Sequence, residues 1–201
     1  MPDLVPLLRE DVQQALADSG GVFTNIAMQN MKKLDSFLKE VVRFYPISAG
    51  SFQRKVLKPF TLSSGQAIPA GVIIEIAQAG VNFDDAVHER AAEFDALRYY
   101  KLRMAKDEAG SGAKAAEVVA NSQFVSVGTS SLTFGYGRHA CPGRFFAVNE
   151  IKMIIATALL HYDMKNVDGQ VGRYENKKIG IQVCISPLPF LRAADLETDR
   201  F

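Results

Sequence analysis

The sequence contains no tryptophan and only two cysteines, Cys141 and Cys184, among 201 residues. Two cysteines cannot supply the disulfide framework of a small secreted scaffold. An excess of charge is missing as well: 23 basic residues against 22 acidic ones leave a formal net charge of +1. No global field therefore draws the chain to nucleic acid or to an anionic membrane. Long hydrophobic runs are absent. A membrane-spanning helix needs roughly 20 predominantly apolar residues, and the best stretch, Met153 to Leu160, is far shorter. The N-terminal MPDLVPLLREDV carries acids early and has neither the basic nor the apolar region of a signal peptide. There is no P-loop, no G-x-S-x-G, no basic patch interleaved with aromatics, and no internal repeat. What is present is 48% hydrophobic and 22% charged residues, ordinary globular usage that excludes wholesale disorder. The length suffices for one substantial core. The chain reads as soluble, with no address label.

Apolar residues at helical intervals predict a helix over Leu4 to Ala17, with Asp3 as N-cap and Gly20-Gly21 ending it. A second helix is predicted from Met31 to Tyr45, stopped by Pro46, with its apolar stripe on Leu34, Phe37, Leu38, Val41, Val42 and Tyr45. Phe52 to Leu57, Phe60 to Leu62 and Val72 to Ile76 read as short strands, with a turn at Ser63 to Gln66. Residues 82–104 read as short helical pieces, and Asp107 to Gln123 as an exposed loop. A helix follows from Arg144 to Leu160. It is apolar nearly all round, so burial is expected. Tyr162 to Lys165 and Ile179 to Ile185 read as closing strands.

The segment FGYGRHACPG, Phe134 to Gly143, concentrates the chemistry. Cys141 precedes Pro142, a residue favoured at the first helical position, which puts the sulfur at a helix N-terminus. Free amides and the helix dipole there favour an anion. Gly135 and Gly137 let the backbone approach something flat or bulky closely. Arg138 and His139 add positive charge suited to the carboxylates of a bound group. One thiolate among glycines and cations is a poor zinc site, which wants about four N/S ligands. It suits a single axial bond to haem iron. The alternative is a lone cysteine acting as a small core hydrophobe beside an ordinary glycine turn.

The segment resembles the haem-binding loop of the cytochrome P-450 family, whose pattern F-x-x-G-x-[R/H]-x-C-x-G falls on Phe134, Gly137, His139, Cys141 and Gly143. The continuation ACPGRFFAVNEIK is similar to that of fungal members. The resemblance implies Cys141 as the proximal thiolate ligand of the iron, His139 as partner of a haem propionate and Phe134 packed near the thiolate. Many members carry Arg at the place of His139, so a histidine there makes the pairing sensitive to pH. LKEVVRFYP resembles the family's E-x-x-R helix. Taken alone, Glu40 and Arg43 face away from the apolar stripe and read as a surface ion pair worth under about 1 kcal/mol. The resemblance implies instead a buried structural network of Glu40, Arg43 and Arg98. The segment EFDALRYY departs from the family pattern: prolines before Phe94 are absent and Tyr99 replaces a usual Phe. Arg54 alone reads as a strand-edge charge; the resemblance implies a propionate contact. It also implies that Ile47 to Ser51 line a substrate pocket.

The implied fold is mainly α (α+β): the C-terminal part of the cytochrome P-450 fold, with small β-sheets and a buried helix after the cysteine loop, as one truncated domain over 1–201. The implied activity is that of a haem-thiolate monooxygenase, with haem (iron protoporphyrin IX) as cofactor and dioxygen and an NADPH-dependent cytochrome reductase as partners. The implied substrate is a small apolar organic molecule of secondary metabolism, a terpenoid for example. The resemblance runs from Leu4 to Arg192. On this reading the endoplasmic-reticulum anchor, a propionate-contacting tryptophan and the distal helix with its acid–alcohol pair lie upstream, so no catalytic residue is assigned here. The competing expectations are a haem-binding remnant without oxygenase activity and an accessory protein. Outside the loop, His88 and His161 read as surface or helix-end histidines, Cys184 as inert core, and Asp84, Asp85 and Glu89 as a solvated face.

Overall fold

The computed structural model describes residues 4–109, 113–165, 177–179, 182–184 and 190–193. Leu8, Val12, Ala15 and Leu16 form the buried face of helix α1 (Leu4–Ala17). Gly20 and Gly21, at φ 70° and 77°, turn the chain away, and the Gly21 N–H closes on the Leu16 carbonyl at 2.8 Å. Asp3, the expected cap, lies outside the described residues. A short helix that the periodicity does not announce follows, α2 (Asn25–Asn30), capped by Thr24 Oγ1 accepting the Ala27 N–H at 3.1 Å. Six residues are too few to show a helical period. Helix α3 (Lys32–Phe44) begins where Asp11 of α1 accepts the Lys33 and Leu34 N–H groups, each at 3.0 Å. That carboxylate caps α3 from outside the helix.

Leu34 and Leu38 of α3 join Leu8, Val12, Met28, Met31, Ala156 and Leu159 in the core. The opposite, polar face of α3 is buried too, which the apolar stripe does not anticipate: Asp35, Ser36, Lys39, Glu40 and Arg43 are all inside. Glu40 is 0% and Arg43 3% exposed, so the surface reading of this pair is wrong. Arg43 Nε and Nη2 donate to the two Glu40 oxygens at 2.8 Å each, and Arg98 Nε reaches both at 3.2 Å. Arg43 also donates to the carbonyls of Asn82, Ala91 and Glu93, and Arg98 to those of Glu89, Arg90 and Glu93. Glu40 accepts the Asp95 N–H at 2.9 Å as well. Two guanidiniums and one carboxylate thus fold the irregular stretch between α4 (Gln78–Asn82) and α5 (Arg98–Ala109) onto α3.

A second charged cluster works from the same helix. Asp35 accepts from Arg103, from Lys152 Nζ at 2.5 Å and from the Phe124 N–H at 3.0 Å. Burial acts to raise its pKa, but Lys152 and Arg103 hold it below the usual carboxylate value. Lys39 donates to the carbonyls of Asn121 and Gln123, Arg103 to Ser122 and Lys152 to Met28. These carbonyls belong to the ends of α2 and α6 (Ala113–Asn121), where the helix dipole is negative, so helix ends offset the surplus of cations. Burial still pushes Lys39 down to about 8.

The loop expected over 107–123 is therefore helical at both ends, in α5 and α6. Ala, Glu and Lys are strong helix formers, and the Gly110-Ser111-Gly112 triplet in sequence suggested a loop for the whole segment. Four two-stranded antiparallel ladders complete the described fold. Strand β1 (Ser51–Lys55) pairs with β4 (Ile73–Ile76), and β2 (Phe60–Thr61) with β3 (Ala67–Ile68). Strand β5 (Tyr162–Lys165) pairs with β8 (Phe190–Ala193). The single strand expected over 179–185 is two: β6 (Lys177–Ile179) and β7 (Gln182–Cys184) run antiparallel, with Ile179 opposite Gln182. The Cys184 side chain lies outside the described residues.

Helix α7 (Arg144–His161) is not buried all round. Its buried stripe is Val148, Lys152, Ala156 and Leu159, facing α1 and α2. Phe146 is 73% and Ile154 58% exposed. An apolar sequence permits burial on every side, but the described elements cover only one.

His88 is buried rather than superficial, 8% exposed and with Nε2 unpartnered. Burial, then the Arg43 and Arg98 charges, push its pKa down to about 4 from 6.5, against a hydrogen bond to the Ser130 backbone and the Glu40 charge. Folded His88 is neutral, so between these values the unfolded chain binds the extra proton. Its contribution to stability is complete above pH 6.5 and is lost as the pH falls towards 4, at up to about 1.4 kcal/mol per unit. Unfolding free energies measured across this window should fall with pH, and His88→Phe should flatten the dependence. Arg43→Leu leaves the buried Glu40 carboxylate with Arg98 as its one remaining cation and strands the carbonyls of Asn82 and Ala91, and should cost about 3–5 kcal/mol in urea unfolding. Glu93→Gln, which breaks only the exposed Arg90–Glu93 pair, should cost under about 1 kcal/mol.

Candidate functional site

The chain between α6 and α7 reaches Cys141 through a hydrogen-bonded loop. Gly128 and Ser131 form a bridge, the Gly135 N–H donates to the Leu132 carbonyl at 2.9 Å, and the Cys141 N–H closes on the Phe134 carbonyl at 2.8 Å. Gly135 and Gly137 carry φ of 77° and 60°. A methyl at Gly135 would stand 3.1 Å from the His139 carbonyl oxygen, so glycine is required there by both torsion and space. Gly137–His139 form one 3-10 turn. The Phe134 ring packs on Phe124 with centroids 5.7 Å apart, which anchors the start of the loop to the core. Helix α7 begins at Arg144 as expected, with Gly143 as its N-cap, so Pro142 stands before the helix and not at its first position. Cys141 precedes the helix, and its carbonyl accepts the Arg144 N–H at 3.4 Å and Nη1 at 3.0 Å. The thiol is free and exposed.

Strand β1 stands across from this loop and is tied to it by Ser51 Oγ donating to the Leu132 carbonyl at 3.3 Å. Between them lies a groove of about 600 Å³, within the usual range of ligand pockets. Cys141, His139, Phe134, Gly135 and Arg54 all line it, so four of the six residues expected at a cofactor, Arg54 among them, share one cavity. Gly137 and Gly143 shape the loop without lining the groove. Of Ile47 to Ser51, the residues Ser48, Gly50 and Ser51 line it, whereas Ile47 is 72% exposed elsewhere. Glu40, Arg43 and Arg98 are brought together with one another and do not line the groove.

Arg54 donates to the Gln53 carbonyl at 2.6 Å, lies 4.0 Å from the Phe52 ring centroid and has no carboxylate partner among the described residues. No hydrogen bond engages the His139 ring among those residues either. The acid of the groove, Glu75, is instead held by Gln53 Nε2 at 3.2 Å, with its carboxylate folded over Gly50. Sequence reading missed Glu75, Phe52 and Gln53; only the β1–β4 pairing brings them here. Among the described residues no group of three or more His, Cys, Asp or Glu could hold a metal ion, and Asp84, Asp85 and Glu89 are exposed. His161 is the exposed last residue of α7. No described helix is long and apolar enough to cross a membrane.

The groove combines one accessible sulfur, a glycine-lined floor and a cation with no acid to neutralise it. That donor set fits a flat group held by one axial thiolate bond and bearing carboxylates at its edge. A larger cavity of about 670 Å³ is lined by Asp35, Arg103 and Lys152, whose charges are engaged with carbonyls and with each other, and by the exposed Lys32.

The sequence model of the family described as cytochrome P450 matches residues 1–191. The chain is 46% identical over 176 residues to the cytochrome P450 monooxygenase ATR3 of Stachybotrys chlorohalonatus, which covers 88% of this chain and 36% of the relative. It is 40% identical to braC of Annulohypoxylon truncatum, over 92% of this chain and 35% of the relative. It is 37% identical to paxQ of Penicillium paxilli, over 87% and 32%. The chain belongs to the cytochrome P450 family, whose cofactor is haem bound through a thiolate. It spans about a third of the length of the curated relatives it matches.

Gly135→Ala should cost at least about 1 kcal/mol in urea unfolding, because both the torsion and the His139 carbonyl oppose a side chain. Gly128→Ala, with open space around it, should leave the midpoint unchanged.

Proposed function

We propose that this chain is the cysteine-ligand portion of a haem-thiolate monooxygenase, in which Cys141 Sγ would hold the iron. The observation that carries this reading is the convergence of Cys141, His139 and the unpaired Arg54 on one groove. Haem bound there supplies oxygen activation and insertion of one oxygen atom into an organic substrate, favoured by electron donation from the thiolate.

The protein's own part is to hold and shape. Gly135 keeps a side chain out of the groove, and Gly137 shapes the loop beside it. The hydrogen bond from the Cys141 N–H to the Phe134 carbonyl fixes the direction from which the sulfur is presented. Arg54 and His139 supply donors for the carboxylates of the group. Glu40, Arg43 and Arg98 act as a structural network that holds the stretch between α4 and α5 onto α3, and take no part in chemistry. Ser48, Gly50 and Ser51 leave space on the β1 side for a small apolar substrate. Dioxygen and electrons from an NADPH-dependent reductase complete the reaction, and the fungal relatives favour a place in secondary metabolism, with a terpenoid as one candidate substrate.

The test is the carbon monoxide difference spectrum of the haem-reconstituted, reduced chain. A red-shifted, thiolate-type Soret band that disappears in Cys141→Ala is the expected result. Absence of that band in the unmodified chain overturns the reading and leaves a protein that has kept the loop without its ligand function.

A further inference from the structure

Phe52 has φ of 64°, one of two non-glycine residues with positive φ among the described residues. For a bulky side chain this is a genuine outlier, and glycine or asparagine would adopt it with less strain. Its position explains what the torsion does. On β4 the pairing steps two residues, from Ile76 to Ile74, while on β1 it steps three, from Ser51 to Arg54. One extra residue is therefore accommodated on β1 as a bulge.

Side chains of paired residues lie on the same face of an antiparallel ladder, and those of residues two apart on one strand do as well. Ile76 and Ile74 share a face, so Ser51 and Arg54 share it too. In an unbroken strand, residues three apart would point to opposite faces. The bulge thus turns Arg54 onto the face of Ser51, the residue hydrogen-bonded to the loop at Leu132. Both residues line the groove, together with Phe52, Gln53 and Glu75. The Phe52 ring then lies against the guanidinium at 4.0 Å, and the Gln53 carbonyl takes Nη1 at 2.6 Å. Gln53 Nε2 meanwhile occupies Glu75 Oε1, which leaves the guanidinium without a neutralising acid.

We propose that Phe52 is a positioning residue for carboxylate recognition: its left-handed backbone brings Arg54 to the same face of β1 as Ser51, at the edge of the cysteine groove, and its ring holds the guanidinium there for an incoming carboxylate. This rests on the haem reading of the groove, in which the carboxylates are those of the porphyrin edge. A glycine would serve the bulge alone. The aromatic ring adds a cation–π contact that limits the positions open to a long, flexible side chain.

The experiment titrates the 201-residue chain and its variants with ferric haem and with haem dimethyl ester, which has the same ring and no free carboxylates, following the Soret band. Phe52→Ala and Phe52→Gly should weaken haem binding about 2- to 5-fold, the factor of a cation–π contact at an exposed site. Ester binding should not change. Phe52→Tyr should restore haem binding. Arg54→Gln should lose the preference for free haem over the ester, and adding Phe52→Ala to it should cause no further loss. Phe52→Gly keeps the backbone free of strain, so a loss there reports the ring and not misfolding. Equal weakening of haem and ester binding, unchanged haem affinity in Phe52→Ala, or additive losses in the double variant each overturn the role of Phe52. Failure of the unmodified chain to bind haem overturns the haem reading itself, and with it this inference.

Discussion

Glu40 is the carboxylate around which the described structure is organised. It is fully buried, and a bare carboxylate in that position would carry a desolvation penalty of several kcal/mol. Arg43, one helical turn along, and Arg98, far along the chain, both donate to it. Their remaining N–H groups are taken by backbone carbonyls between Asn82 and Glu93. The stretch between α4 and α5 has little regular structure of its own. Its carbonyls would otherwise need water, and the two guanidiniums replace it. This stretch is therefore shaped by side chains, where a strand or helix would be shaped by backbone pairing.

The same helix carries the polar groups that extend the order towards the thiol. Ser36 donates to the Ala96 carbonyl and accepts the Tyr100 N–H, which sets the start of α5. Asp35 binds the Phe124 N–H, and the Phe124 ring supports Phe134 at the start of the cysteine loop. Lys152 of α7 reaches the same carboxylate, so both ends of the loop are referred to one residue of α3. His88 adds a neutral contact between the charged network and the Ser130 backbone. A thiolate ligand needs a fixed direction, and here it comes from a chain of buried polar contacts beginning on a helix whose apolar face packs on the core.

Some of this was legible in the sequence for definable reasons. Helices α1 and α3 were found within a residue of their ends because their apolar faces repeat over three turns. The cysteine loop was legible because glycines, cations and a thiol at fixed spacing serve a chemistry that depends on local backbone. The burial of Glu40 and Arg43 could not be read from α3 alone, since what covers that face comes from residues 82–98 and only the family resemblance pointed to it. Helix α6 was misread because its flanking glycines outweighed its alanines. Helix α7 was misread in the other direction: hydrophobicity states what a surface tolerates, while burial depends on what is placed against it. His88 was assigned to the surface because a single histidine carries no period.

By itself the sequence determined the main helices, the position of the thiol at the entrance to α7 and the glycines that keep the loop open. These depend on neighbours within a few residues, where torsional preference and periodicity act. Tertiary structure alone decided that Arg54 lines the same groove as Cys141, that Glu75 is held there by Gln53 and that Phe52 takes a left-handed torsion. The physical reason is register. Which face of β1 a side chain occupies depends on how the strand pairs with β4 about twenty residues later, and one extra residue in that pairing reverses it.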